Sequence, residues 1–223
     1  MALSMAQDAM VTVFYHELGH ALIDILEPPV LGLEEDAADV LSALLINELW
    51  DEASSEAKLR AAAGFWAANL AATAEGEEIP LNYGVHSPDD RRYFTYVCLW
   101  YGASPDTREA VAIELGLPEE RAVTCPDEFD LANRSWGPYL DEAYEAGAGT
   151  SLVWTGPAPE EDPFAAVLKD EVDYLNTVMS LPRELTVTYG TCDMANAFYD
   201  PSVTGITMCS ELADWAYQLA LSQ

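Results

Sequence analysis

Apolar positions in this chain recur mostly at helical spacing. Over residues 6–26 there is no proline, and Val13, Phe14, Leu18, Ala21, Leu22 and Ile25 form an apolar stripe. Pro28-Pro29 ends that run, because proline cannot continue a helix and biases its predecessor away from one. A short turn leads to a second helical pattern over 34–49, and an alanine-rich third follows over 55–73. Residues 75–88 read as a loop holding Gly76, Pro80, Gly84 and His86. A helix over 89–101 carries Tyr93, Val97 and Trp100 toward the core. Ser104-Pro105 starts another that runs to Leu115, ahead of Gly116, and one turn is expected over 118–121. A further helix over 127–146 is expected to break near Gly137-Pro138.

The pattern then changes. Residues 147–163 concentrate Gly147, Gly149, Gly156, Pro157, Pro159 and Pro163, which predicts a non-regular linker. Residues 164–179 are helical again, whereas 185–189 alternate as a strand does. Segments 197–199 and 205–208 flank Asp200-Pro201, a hairpin signal, and 211–221 place Leu212, Trp215 and Leu219 on one helical face. The expected fold is α+β and predominantly helical, a single domain over 1–223. It comprises a helical part (1–146), the linker (147–163), and a helix, β-hairpin and terminal helix (164–223).

Charge narrows the partners. With 39 acidic against 9 basic residues the formal charge is −30, which repels phosphate backbones and anionic headgroups, so neither nucleic acid nor a lipid surface is expected. Hydrophobic residues make up 50% of the chain, too many for an acidic disordered tail. No stretch approaches the roughly 18 unbroken apolar residues of a membrane span. Such acidity also suits salty surroundings, where screening relieves self-repulsion. Cys98, Cys125, Cys192 and Cys209 allow three disulfide pairings. Their grouping suggests Cys98–Cys125 and Cys192–Cys209, and so an exported protein, periplasmic or extracellular, whose signal peptide is not in this sequence. Four reduced core thiols are the alternative.

The chemistry is concentrated in His16-Glu17-Leu18-Gly19-His20, an H-E-x-x-H run in a chain with only three histidines. Residues four apart share a helix face, so His16 and His20 can offer two imidazoles to one ion, with Glu17 beside it to activate water. Gly19 is expected to keep the metal face clear. The bland alternative is two surface histidines on an amphipathic helix. A catalytic zinc takes a third protein ligand and leaves a position for water. Ile23 and Leu26 occupy the places where a metzincin carries Gly and His, which excludes that class. Glu35 and Asp39 lie four apart on the second helix. Glu35 is the expected third ligand, and Asp39 the group that accepts the outer N–H of a ligand histidine. Glu34 and Asp36 are the alternatives to Glu35, or simply carboxylates favoured at a helix N-terminus. Asp24 is a weaker candidate, expected beside the site.

Two histidines and a glutamate resemble the gluzincin metallopeptidases. More of the chain is similar to a bacterial family of zinc-metallopeptidase-like domains of unknown function. The similarity runs through 16–39, His86-Ser87-Pro88-Asp89-Asp90-Arg91-Arg92, Cys98 to Gly102, Leu117-Pro118, Arg121, Cys125 and Ser135-Trp136. It continues in Cys192, in Asn196-Ala197-Phe198-Tyr199-Asp200-Pro201, and in Cys209-Ser210-Glu211-Leu212. In that family the Asn-Ala-Phe-Tyr segment precedes H-E-x-x-H; here it follows, which suggests circular permutation with the old termini in 147–163. A duplicated array cut out of phase is the alternative. The resemblance implies Zn2+ as cofactor and a peptide or protein as substrate. It also implies an edge strand at Asn196 and Ala197 that pairs with that substrate, while Phe198 and Tyr199 anchor the hairpin. His86 either donates to the oxyanion or bonds Asp89 or Asp90 to cap the next helix. Arg92 is expected as a buried partner for a carboxylate. The implied activity is zinc-dependent hydrolysis of peptide bonds with Glu17 as general base. The alternative is a zinc-stabilised binding or inhibitory module without turnover. Oligomeric state stays open.

Overall fold

A computed structural model describes residues 1–75 and 84–222. Most of the loop expected over 75–88 lies outside the described residues. Within them the chain is predominantly helical, with a small four-stranded sheet.

Helix α1 (Ala2–Leu26) is the central element. It is buried well beyond the apolar stripe, and Thr12, His16, Glu17 and Gly19 are buried with it. The reason is its surroundings: α2 (Glu34–Leu49), α3 (Glu52–Glu75), α8 (Pro163–Val178), α9 (Ser210–Ser222) and two strands all pack on it. Glu27 closes α1 in the left-handed region at φ 53, its N–H on the Ile23 carbonyl at 3.1 Å, and the two prolines follow. Helix α4 (Asp89–Ala103) lies against α2 and α3 and buries Val97 and Trp100. Helix α5 (Pro105–Glu114) and the single turn α6 (Glu119–Ala122) lead to α7 (Cys125–Glu145).

Two expectations change here. Helix α7 runs unbroken through Pro138. Proline removes one main-chain hydrogen bond, but Trp136, Leu140 and Ala143 bury one continuous face across that point and hold both halves in line. The glycine- and proline-rich stretch is not wholly irregular either. It supplies β1 (Leu152–Trp154), a parallel edge strand whose Leu152 pairs with Leu185. Asn176 of α8 brackets Leu152, donating to its carbonyl at 2.8 Å and accepting its N–H at 3.1 Å. A three-residue strand pinned by a side chain from elsewhere leaves no local pattern to read.

The sheet order is β1-β2-β4-β3, with β2 (Leu185–Gly190) parallel to β4 (Gly205–Cys209) and β3 (Ala197–Asp200) antiparallel to it. Strand β3 is therefore an edge strand. Disulfides join Cys98 to Cys125, tying α4 to α7, and Cys192 to Cys209, tying the approach to β3 onto β4. No helix among the described residues is long and apolar enough to cross a membrane.

Candidate metal centre

One turn of α1 and the first two turns of α2 face each other across a close approach. A Cβ built on Gly19 would lie 2.8 Å from the Ala38 Cα, so glycine is what lets the helices come this near. Gly19 thus faces the neighbouring helix, rather than merely clearing the metal face. The approach sets His16 and His20 opposite Glu35. Their ligand atoms form a tight triangle: His16 Nε2 to His20 Nε2 3.2 Å, His16 Nε2 to Glu35 Oε2 3.2 Å, and His20 Nε2 to Glu35 Oε2 3.4 Å.

The other ring nitrogens each have a carboxylate partner. His16 Nδ1 lies 2.8 Å from Asp39 Oδ1, and His20 Nδ1 lies 2.8 Å from Glu34 Oε1. A carboxylate only accepts, so each Nδ1 carries the proton and each Nε2 presents a lone pair inward. Two nitrogen lone pairs and a carboxylate oxygen then converge with no donor among them. A cation with bonds of about 2.0–2.1 Å to tetrahedral ligands needs ligand–ligand spacings of about 3.3–3.4 Å, which this triangle nearly meets. Among the described residues these three form the only His/Cys/Asp/Glu group close enough to hold a metal ion. Without an ion, protons fill the role. Burial opposes a charged His16, but the Asp39 and Glu35 carboxylates outweigh it and push its pKa up to about 9. Burial also opposes a charged Glu35, which for a carboxyl means an upward shift, but the two imidazoles outweigh it and hold the group well below the usual range.

Asp39 is itself held. Arg92 of α4, buried and stacked 3.7 Å above the Trp66 ring, donates to Asp39 Oδ2 at 2.7 Å and to Oδ1 at 2.8 Å. The expected carboxylate partner of Arg92 is thus Asp39. Glu34, expected as a helix-end charge or a substitute ligand, instead orients His20. Asp36 points elsewhere, to Arg91 at 3.7 Å. Asp24 does not join the centre: it takes the Tyr199 hydroxyl at 2.7 Å and Arg183 at 2.8 Å.

Glu17 is buried beside the triangle. Burial raises its carboxyl above the ordinary range, while His16, His20 and, least, the nearby Tyr199 main chain pull it back. Its cavity, about 510 Å³, is lined by His16, Glu17, His86, Arg92, Asn196 and Ala197, with an aromatic wall of Phe65, Trp66, Tyr96 and Trp215. That wall was not expected; its residues come from three helices and read as ordinary core. His86 reaches neither Asp89 nor Asp90. Its Nε2 sits 3.0 Å from Glu35 Oε2 with the side chain about half exposed, and it stands outside the three-residue ligand group.

The Asn196 carbonyl accepts the Cys209 N–H at 3.1 Å. Antiparallel pairing alternates, so Phe198 and Asp200 also turn their main-chain groups to β4, while Ala197 and Tyr199 turn theirs to the open edge. Phe198 does not anchor the hairpin. The residue is 40% exposed; Tyr199 does the anchoring, through Asp24.

Residues 2–140 and 164–222 match the model of a family described as "Putative metallopeptidase". The chain belongs to this family. The match leaves out 141–163, most of which is the glycine- and proline-rich stretch, and membership implies a metal, for which His16, His20 and Glu35 are the available donors. No curated protein and no solved structure matches the chain.

Proposed function

We propose that the protein is a zinc-dependent endopeptidase. The observation that carries this reading is the convergence of three lone-pair donors next to a buried carboxylate, in a cavity bordered by an open strand edge. His16, His20 and Glu35 hold the zinc, whose contribution is Lewis acidity toward water and the scissile carbonyl. Glu17 accepts a proton from the attacking water and delivers it to the leaving amine; its raised pKa suits a group that must both take and return a proton. His86, at the cavity mouth, donates to the carbonyl oxygen as negative charge builds there. The outward main-chain groups of Ala197, with Asn196 beside them, pair with an extended peptide and hold it in register. Asp39 and Glu34 fix the two ring tautomers, and Arg92 fixes Asp39.

A closed four-ligand site would favour a structural module without turnover. Three mutually close ligands, with His86 outside the group, support the catalytic reading instead. The two disulfides suit an oxidising compartment, and we place the protein outside the cytoplasm on that ground. A circularly permuted chain order is part of the same reading. Met1, Ser4 and Leu219 line one hollow, so the outer ends of α1 and α9 are neighbours, and the family match breaks at 141–163.

Metal analysis of the purified protein together with Glu17→Gln tests the proposal. The variant should keep one zinc per chain and lose at least about a hundredfold in peptide hydrolysis. Full activity in the variant, or a native protein that takes up no transition metal, overturns it.

A further inference from the structure

A second, larger cavity of about 970 Å³ adjoins the metal centre. It is a groove between the 28–33 turn and α7, floored by α2 and α4. Arg92 lines both cavities, and the consecutive residues His86 and Ser87 line one each. Its walls are largely apolar, with Leu31 98% and Leu131 58% exposed. Its charge is out of character for the molecule. Four of the chain's nine basic residues line it, Arg91, Arg92, Arg121 and Arg134, in a protein of formal charge −30.

Three carboxylates share the lining, and each has its own arginine. Asp39 takes Arg92, Glu128 takes Arg121 at 2.5 Å, and Asp36 faces Arg91 at 3.7 Å, a loose contact on an exposed guanidinium. Arg134 is left over within the groove; it is exposed and has no hydrogen bond or ion pair with any described residue, and its other side faces a hollow lined by Glu48, Asp130 and Asp141. The groove's own lining therefore carries four guanidinium groups against three carboxylates, one of those pairs weakly held, beside exposed leucines. On a molecule this acidic, a carboxylate meets net attraction at few other places.

We propose that this groove holds the substrate segment next to the cleaved bond and selects an acidic side chain flanked by apolar residues, with Arg134 as the main determinant and Arg91 assisting. The proposal rests on the metallopeptidase reading, and it fixes a substrate class. Guanidinium groups pair with carboxylates in a forked geometry that lysine-rich or neutral peptides cannot use. The exposed leucines contribute by covering apolar neighbours.

The test is a binding measurement that needs no turnover. Zinc-loaded Glu17→Gln protein is titrated with fluorescent peptides identical but for Glu, Gln or Lys between two leucines. The Glu peptide should bind roughly tenfold more tightly than the Lys peptide, and the preference should shrink as salt rises. Adding Arg134→Glu and Arg91→Glu should reverse the order, and a melting curve checks that the variant is folded. Both side chains are exposed, so folding should survive; Arg134→Gln, which should merely abolish the preference, is the milder second variant. Equal binding of all three peptides, tighter binding of the Lys peptide, no binding at all, or a preference untouched by the arginine changes would overturn the proposal. A Glu preference in a protein whose native form cleaves nothing would sink the peptidase reading and leave the groove assignment standing. Cleavage without that preference would do the opposite.

Discussion

At the scale of single residues, the proposed centre sets protons and a metal ion in competition for the same nitrogen atoms. His16 in the ion-free protein has its pKa raised to about 9, against about 6.5 for an unfolded chain. A raised folded-state pKa contributes stability that is fully present below the unfolded value and lost as pH rises through the folded one. His20 is shifted in the same direction by Glu35 and Glu34 after burial is overcome. Chelator-treated protein should therefore lose melting temperature steadily between about pH 6.5 and pH 9, while zinc-loaded protein should lose little. Melts across that range, with and without chelator, check this; identical pH profiles would mean that the ion and the protons do not compete for the same atoms. The residues that converge were legible at this scale. His16, Glu17 and His20 follow from helical spacing, and Glu35 and Asp39 from the same spacing on the next helix. The role of Glu34 was not legible. A carboxylate in a first helical turn has a sufficient local reason to be there, and only the facing helix shows that it holds a ring nitrogen.

At the scale of elements, the separation between α1 and α2 controls the geometry of the triangle. Ordinarily alanine in place of a helical glycine is favourable by about 1 kcal/mol. At Gly19 the added methyl meets Ala38 backbone at 2.8 Å, so the helices must part and the sign reverses. Gly19→Ala should destabilise the protein by about 1–3 kcal/mol, the usual cost of overpacking. It should also weaken zinc binding, because Glu35 rides on the displaced helix. Denaturant titration and competition with a chromophoric chelator measure the two effects. Unchanged zinc affinity would show that the close packing does not position Glu35. Strand β1 and the unbroken α7 escaped the sequence reading for a related reason. Each is decided by a partner distant in the chain, Asn176 and β2 for one, a shared buried face for the other.

At the scale of the whole molecule, covalent links and charge act together. The two disulfides close loops with sequence separations of 27 and 17 residues, and restricting the unfolded chain this way contributes about 3 kcal/mol for each. Reductant should lower the melting temperature markedly even with zinc present; an unchanged melt would show that the links are dispensable. A charge of −30 repels itself within the folded volume, and added salt screens that repulsion. Stability should accordingly rise between low salt and about 1 M sodium chloride. A flat response would count against adaptation to saline surroundings.

The sequence alone determined what depends on near neighbours along the chain: helix periodicity, proline stops, the placing of two histidines one turn apart on one face, and the excess of negative charge. Those features follow from backbone geometry and composition, which act over a few residues. Tertiary structure decided which groups from separate elements meet. It placed Arg92 and Trp66 behind Asp39, Tyr199 on Glu17, His86 on Glu35, and four arginines around one groove. Close packing selects among many chemically equivalent side chains by position, and position is fixed only when every helix has found its neighbour.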